Sequence, residues 1–303
     1  MDVHNTPKAS SRDSANTGSP FVVPPTPCLK KIGWGTGVVV YHMDRSPFSG
    51  VARSPWALKK VSRAPKRKKF IGSRLKLEAD ILKKLNHPNI VGFRCFTKTK
   101  DGREVLAMEE CEESLGTILE NRYENKEGPM EAELIIKIIY EVCKALRYVH
   151  TEHRIIHGDI KSYNILIKGD YDAIKLCDFG VSFPLNEAGE AQDYVGTEVW
   201  SAPEVLIGGS VTVKADIFAL GLTIWEMVCL VPPHTGSSVE SCDSFDESLD
   251  SVDNYGTRPS FPEGLGDRYK LVERLFTWCT EQDLNNRPTA DEIIALIDAT
   301  HGK

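Results

Sequence analysis

No stretch of this chain reaches the roughly 18 uninterrupted apolar residues that a membrane-spanning helix requires, and its start is not a basic residue cluster followed by an apolar core. A membrane partner is therefore not expected, and nothing directs the chain out of the cytoplasm or nucleus. Cysteines at metal-ligand spacing are missing as well. The eight present, Cys28, Cys95, Cys111, Cys143, Cys177, Cys229, Cys242 and Cys279, form no C-x-x-C pair and have no closely spaced histidines. A zinc site and a disulfide framework are thus poorly supported, and the cysteines read as reduced thiols. Charge is not strongly one-sided: 37 Lys and Arg stand against 43 Asp and Glu, a net −6. That balance disfavours nucleic acid as the main partner. No internal repeat is found.

What is present suits a folded protein. Hydrophobic residues make up 41% and charged residues 26% of 303 residues, enough for two domains or one large bilobed unit. Residues 1–28 contain five prolines and seven Ser or Thr with few large apolar side chains. Such a composition cannot offset chain entropy by burial, so this segment is expected to be a disordered tail. From Leu29 to Phe96 the patterns KKIGWGTGVVVYHM, SPWALKKV and NIVGFRCF read as strands, and RLKLEADILKKL as a helix. Beyond it the chain is mainly helical. Leu134, Ile138, Val142 and Leu146 make one wide apolar face between Glu131 and His150, and Ala215 to Val228 is apolar nearly all round, as a buried helix would be. Residues 237–253 carry six acids and no Lys or Arg, which suits a solvated insert.

Several residues carry chemistry. Gly33, Gly35 and Gly37 lie between two strand-like runs, where small residues let a turn approach a phosphate and offer it backbone N–H groups. A ligand-free glycine hairpin fits the same pattern. On SPWALKKV the two-residue period places Ala57 and Lys59 on one face, turned inward, and Lys60 on the other. Glu78 falls within the Leu75, Leu82 and Leu85 stripe of the next helix. A carboxylate there needs a cation, and Lys59 is the natural partner; a solvated Glu at a lobe edge fits the same pattern.

The run His157-Gly158-Asp159-Ile160-Lys161-Ser162-Tyr163-Asn164 is followed by Asp178-Phe179-Gly180 and by Ala202-Pro203-Glu204. Together with the glycine turn and the A-x-K strand, this series resembles the eukaryotic protein kinases. The resemblance covers residues 29–300. It implies an α+β, bilobal fold with a small β-rich N-lobe (29–108) and a larger helical C-lobe (112–300). Further implications are ATP as phosphate donor, Mg²⁺ held by Asn164 and Asp178, and Lys59, steadied by Glu78, on the α- and β-phosphates. Asp159 would orient the substrate hydroxyl and accept its proton, with Lys161 near the γ-phosphate. Val40, Ala57 and Leu166 would enclose adenine, beside Met108 as gatekeeper and Glu109 to Cys111 as hinge. Leu82, Phe93, His157 and Phe179 would stack between the lobes, Asp216 would tie the catalytic loop, and Arg287 would pair with Glu204. Gly196-Thr197 resembles the serine/threonine class and a peptide-substrate platform, which disfavours a small-molecule kinase. SPWALKK, HPNIVG and KADIFA-GLTIWEM resemble a mitotic branch related to the MAP kinase kinases, which implies a stress-activated MAP kinase as substrate. The rival reading, a pseudokinase scaffold that recruits partners, is opposed by retention of Lys59, Glu78, Asp159, Asn164 and Asp178.

Other features depart from the family or stand outside it. Val38 takes the place of the third loop glycine, and Gly158 that of the arginine that usually holds an activation-loop phosphate. Between Val181 and Val195 the only hydroxyls are those of Ser182 and Tyr194. Control by loop phosphorylation is therefore not expected, and Glu187, Glu190 and Asp193 could substitute by pairing with Lys66 to Lys69. Thr6-Pro7, Ser19-Pro20 and Thr26-Pro27 suit an upstream proline-directed kinase, Thr6 foremost. The basic run from Lys59 to Lys69 reads as a solvated loop, and Cys177 as a buried, inert thiol. Lys303 is not the apolar terminal side chain that PDZ pockets favour, so PDZ binding is not expected.

Overall fold

The computed structural model describes residues 29–35, 37–48, 51–62, 68–99, 101–191, 196–235 and 254–301. The expected tail, 1–28, and acidic insert, 237–253, lie outside them. Five antiparallel strands open the fold: β1 (Lys30–Gly35), β2 (Val38–Phe48), β3 (Val51–Val61), β4 (Phe93–Lys98) and β5 (Glu104–Glu109), in the order β1-β2-β3-β5-β4. Between β3 and β4 runs α1 (Lys68–Leu82). Its Leu75, Ala79 and Leu82 are almost wholly buried, so one stripe of the helix closes the inner face of the sheet.

The outer face has a core of its own. Met43, Leu58, Val105 and Ala107 pack there with Leu29, Tyr41, Trp56 and Cys95. Lys60 belongs to this face. It does lie opposite Lys59, yet it is only 2% exposed, with its ammonium 5.2 Å from the centre of the Tyr41 ring. Its long stem covers apolar surface, which alternation alone does not reveal. The basic run is likewise not one loop: it begins inside β3 and ends in α1, with residues 63–67 outside the described set.

After β5 come β6 (Glu113–Ser114), α2 (Leu115–Glu124) and α3 (Ala132–Arg147). The Ser114 hydroxyl caps α2 by accepting the Thr117 N–H at 3.1 Å. Next are β7 (Ile155–Ile156), β8 (Ile165–Lys168), β9 (Ala173–Leu176), β10 (Phe183–Pro184), β11 (Glu190–Ala191), α4 (Pro203–Leu206) and β12 (Val211–Thr212). The chain ends with α5 (Lys214–Cys229), α6 (Lys270–Cys279) and α7 (Ala290–His301). Every residue of α5 from Ala215 to Val228 is buried, which explains its nearly uniform apolar sequence. The result is the expected α+β, bilobal arrangement of a β-rich N-lobe and a helical C-lobe.

One strand assignment shifts. In NIVGFRCF the strand starts only at Phe93; Asn89 and Val91 instead exchange main-chain bonds with Leu176 of the C-lobe at 2.8 and 3.0 Å. Asn89 also donates its side-chain amide to the Ile174 carbonyl at 2.9 Å. That apolar segment is therefore a tie between lobes.

Candidate active site

Three ionic side chains meet where the N-lobe faces the C-lobe. The Lys59 ammonium lies 2.9 Å from Glu78 Oε2 and 2.8 Å from Asp178 Oδ1. β3 supplies the lysine, α1 the glutamate, and the turn after β9 the aspartate. Burial alone would lower the Lys59 pKa, but the Asp178 and Glu78 carboxylates reverse the effect and hold it well above its ordinary value. Asp178 is likewise exposed to a burial effect that would raise it, and Lys59 outweighs this and holds it low. Its backbone sits at φ 62°, a region that Asp tolerates better than most residues.

The catalytic-loop residues form a second cluster. Asp159 accepts from the Thr197 hydroxyl at 2.6 Å through Oδ1 and from the Asn164 amide at 2.8 Å through Oδ2. Lys161 Nζ lies 2.8 Å from both Asp159 Oδ2 and Thr197 Oγ1. Beneath them Asp216, fully buried at the start of α5, accepts the N–H groups of His157 and Gly158 at 2.8 and 2.9 Å. His150 bonds the same carboxylate at 2.8 Å. Burial would raise Asp216; these donors hold it low instead. The His157 and Phe179 rings meet edge to face at 4.7 Å; Phe179 and Leu82 are buried in the continuous core, and Phe93 packs against that core.

Around the cleft, Val40 pairs with Lys59 in register and Ala57 with Met108. Leu166 stands on β8, whose neighbour Ile167 accepts the Glu112 N–H at 3.1 Å and so joins hinge to floor. The Glu109 carboxylate is committed to Lys175 at 3.2 Å and to the Gly92 N–H at 3.2 Å. Cys177, expected to be buried, is only half-buried; desolvation nevertheless pushes its thiol well above its ordinary value and that of Cys111 up to about 11.

The three glycines differ in their reasons. Gly37 has φ 79°, and an added Cβ would lie 2.1 Å from Ile71 Cδ1 of α1, so the turn itself requires it. Gly33 has an ordinary φ and room for a Cβ, 3.8 Å from Val40. It follows the register irregularity between Lys31 and Gly33 in the β1–β2 pair. Gly35 lies on β1, while Thr36 falls outside the described residues.

The donor set suits a hard cation. Asn164 spends its amide N–H₂ on the Asp159 carbonyl and carboxylate, which leaves an amide oxygen; Asp178, with its side chain 39% exposed, keeps an oxygen beyond the one facing Lys59. Oxygen ligands of this kind fit Mg²⁺. Sequence reasoning missed three pairings: Lys59 with Asp178, Ser162 with Glu226 on α5, and His42 on β2 with Glu110 in the hinge. The last two span 64 and 68 residues and leave no local pattern; an acid inside the apolar run of α5 was the one visible signal.

Lobes, ionic clusters and hinge of this arrangement define a protein kinase, and the chain belongs to that family: the family profile described as protein kinase domain matches residues 28–296. It is 44% identical to the human lymphokine-activated killer T-cell-originated protein kinase, over 91% of this chain and 90% of that protein. Similarity extends to MAP3K epsilon protein kinase 1 of Arabidopsis thaliana, 39% identical over 52% of this chain and 11% of that protein. The dual specificity protein kinase shkD of Dictyostelium discoideum is 27% identical over 82% of this chain and 32% of its own length.

Proposed function

We propose that the chain is an active serine/threonine protein kinase that transfers the γ-phosphate of ATP to protein hydroxyls. The observation that carries this reading is the Asp159–Thr197–Lys161 cluster, in which one hydroxyl at 2.6 and 2.8 Å links the candidate base to a cation beside it. Phosphoryl transfer leaves the protein chiefly positioning and electrostatics. Asp159, fixed by Thr197 and Asn164, would orient the substrate hydroxyl and take its proton. Lys161 would balance charge on the transferred group, and Lys59, steadied by Glu78, would hold the α- and β-phosphates. Val40, Ala57, Met108 and Leu166 would enclose the base against hinge groups of Glu109 to Cys111, with Gly33, Gly35 and Gly37 over the phosphates. Mg²⁺, when held by Asn164 and Asp178, supplies neutralisation of the triphosphate charge.

In this reading the catalytic unit is residues 29–300, with the tail and insert outside it. Kinship with proteins named lymphokine-activated killer T-cell-originated protein kinase, MAP3K epsilon and cell division control protein 7 supports a role in signalling and cell division. A stress-activated MAP kinase as one substrate belongs to the same proposal and rests on the sequence resemblance alone. Thr6 would receive phosphate from a proline-directed kinase. No helix among the described residues is long and apolar enough to cross a membrane, in keeping with work in the cytoplasm or nucleus. The test is transfer of radiolabel from ATP to a peptide library, with Asp159→Asn as control. Label on Ser and Thr peptides, lost in the control, is expected; equal label in both would end this reading.

A further inference from the structure

Two carboxylates of α5 reach the catalytic loop from below. Asp216, in the first turn, holds the N–H groups of His157 and Gly158. Near the other end of the helix, Glu226 is 3% exposed and accepts the hydroxyl of Ser162, itself wholly buried, at 2.6 Å. Its second oxygen, Oε2, is buried without a hydrogen-bond partner among the described residues. Ser162 begins the short 3₁₀ turn that ends at Asn164, and Lys161 directly precedes it. The Trp200 ring flanks the same carboxylate, and Trp200 N–H returns to the Thr197 carbonyl at 3.0 Å. A clamp from another side completes the arrangement: the Tyr163 hydroxyl donates to Glu120 of α2 at 2.5 Å.

We propose that Glu226 is a positioning residue for phosphoryl transfer: through Ser162 it fixes the turn that carries Lys161 and Asn164, and beside Trp200 it underpins the segment that presents Thr197. The inference rests on the kinase reading given above. Glu226 touches no reacting group, since it is enclosed beneath the loop. Stability does not explain the pair. A buried carboxylate is costly to desolvate even when hydrogen-bonded, and an apolar pair of similar volume often holds two elements together as well. What an apolar contact lacks is direction. A hydroxyl–carboxylate bond sets the angle as well as the distance of the turn, and a displacement of about 1 Å at a catalytic group can reduce rate on the order of a hundredfold.

The test compares full-length wild type with Ser162→Ala, Glu226→Met, the double variant and Ser162→Thr. Unfolding midpoints, kcat, the KM for ATP, and amide exchange over residues 157–164 would be measured. Each single variant should lower kcat about tenfold, leave the KM for ATP within twofold and speed exchange in the loop. Ser162→Thr, which keeps the hydroxyl, should hold kcat and loop exchange at wild-type values. In the double variant the apolar pair should recover the unfolding midpoint but not kcat. Return of kcat together with stability would reduce the pair to packing and overturn the proposal, as would single variants with wild-type kcat and exchange. If a single variant fails to fold, the double variant against Ser162→Thr still decides. An inactive wild type would instead remove the kinase reading on which the proposal stands.

Discussion

Arg287 grips Glu204 with both ends of its guanidinium, Nη1 to Oε1 at 2.8 Å and Nη2 to Oε2 at 3.1 Å, and its side chain is completely buried. Nε and Nη1 also donate to the carbonyls of Glu281 and Lys214, and the group lies 4.9 Å from the Phe218 ring. The pair fastens α4, and with it the end of the Thr197 segment, to the helical body. Arg287→Ala strands a carboxylate that is 8% exposed and is expected to cost about 3–5 kcal/mol. Arg287→Lys cannot reproduce a two-point contact and should fall between Ala and wild type. Urea unfolding midpoints check the order; a loss below about 1 kcal/mol for Ala, small for breaking a buried pair, would contradict it.

The Lys59 triad separates chemistry from stability. Asp178→Ala leaves the bond from Lys59 to Glu78 in place, so folding should shift little while phosphoryl transfer falls by at least about a hundredfold, the scale of one lost electrostatic contact. Lys59→Met removes the cation between two carboxylates, so activity and stability should both drop. Initial rates at saturating ATP and Mg²⁺, paired with unfolding curves, distinguish the two variants. An Asp178→Ala enzyme that turns over like wild type would leave the site without its proposed ligand.

Much of this site was legible because its parts sit on regular elements. A two-residue period turned Lys59 inward, and helical spacing put Glu78 on the buried stripe of α1. The third partner, Asp178, comes from a turn at positive φ, where no periodicity aims the side chain. Alternation placed Lys60 on the face opposite Lys59 but does not tell whether that face is covered, and here a second small core covers it. The strand read into Asn89–Gly92 failed for a related reason. Short apolar runs bury equally well as a crossing between lobes, and the main-chain bonds to Leu176 decide the matter.

His42 offers a test by pH. Its Nδ1 lies 2.7 Å from Glu110 and its Nε2 3.0 Å from Asp44, so β2 is joined to the hinge. The bond to Glu110 raises its pKa most; partial burial opposes it and Asp44 adds to the rise. A histidine raised in the folded state contributes stability that is full below its unfolded value, about 6.5, and lost as pH climbs through the folded value. Wild type should therefore lose more stability than His42→Gln between pH 6 and 8. By NMR titration, Glu110→Gln should lower the His42 midpoint; an unchanged midpoint would show that the hinge contact is not its source.

The described part of the activation loop, up to Ala191, is tied to the body of the fold at several points. β10 pairs with β7 and β11 with β12; Leu185 N–H reaches the Arg154 carbonyl at 2.8 Å, and Arg154 Nη2 donates to the Asn186 carbonyl at 2.6 Å. Glu190 takes the Ser210 hydroxyl. The side chains of Lys66 to Lys69, expected as partners for the loop acids, lie outside the described residues, as do Asp193 and Tyr194. Gly158, at φ 82°, contributes only backbone where an arginine would meet a phosphate. Ser182 is wholly buried and donates to the His157 carbonyl at 2.7 Å, so a kinase cannot reach it in the folded chain. Ser182→Ala should then cost about 1–2 kcal/mol of stability for the unpaired carbonyl, with any loss of turnover following loss of folded protein. Tyr194→Phe and phosphatase treatment should leave turnover near wild type, measured with residues 1–28 deleted so that tail sites do not contribute. A tenfold fall in turnover for Ser182→Ala or Tyr194→Phe at unchanged stability, about 1.4 kcal/mol in the barrier, would make the loop a phosphoswitch and Gly158 no obstacle to it.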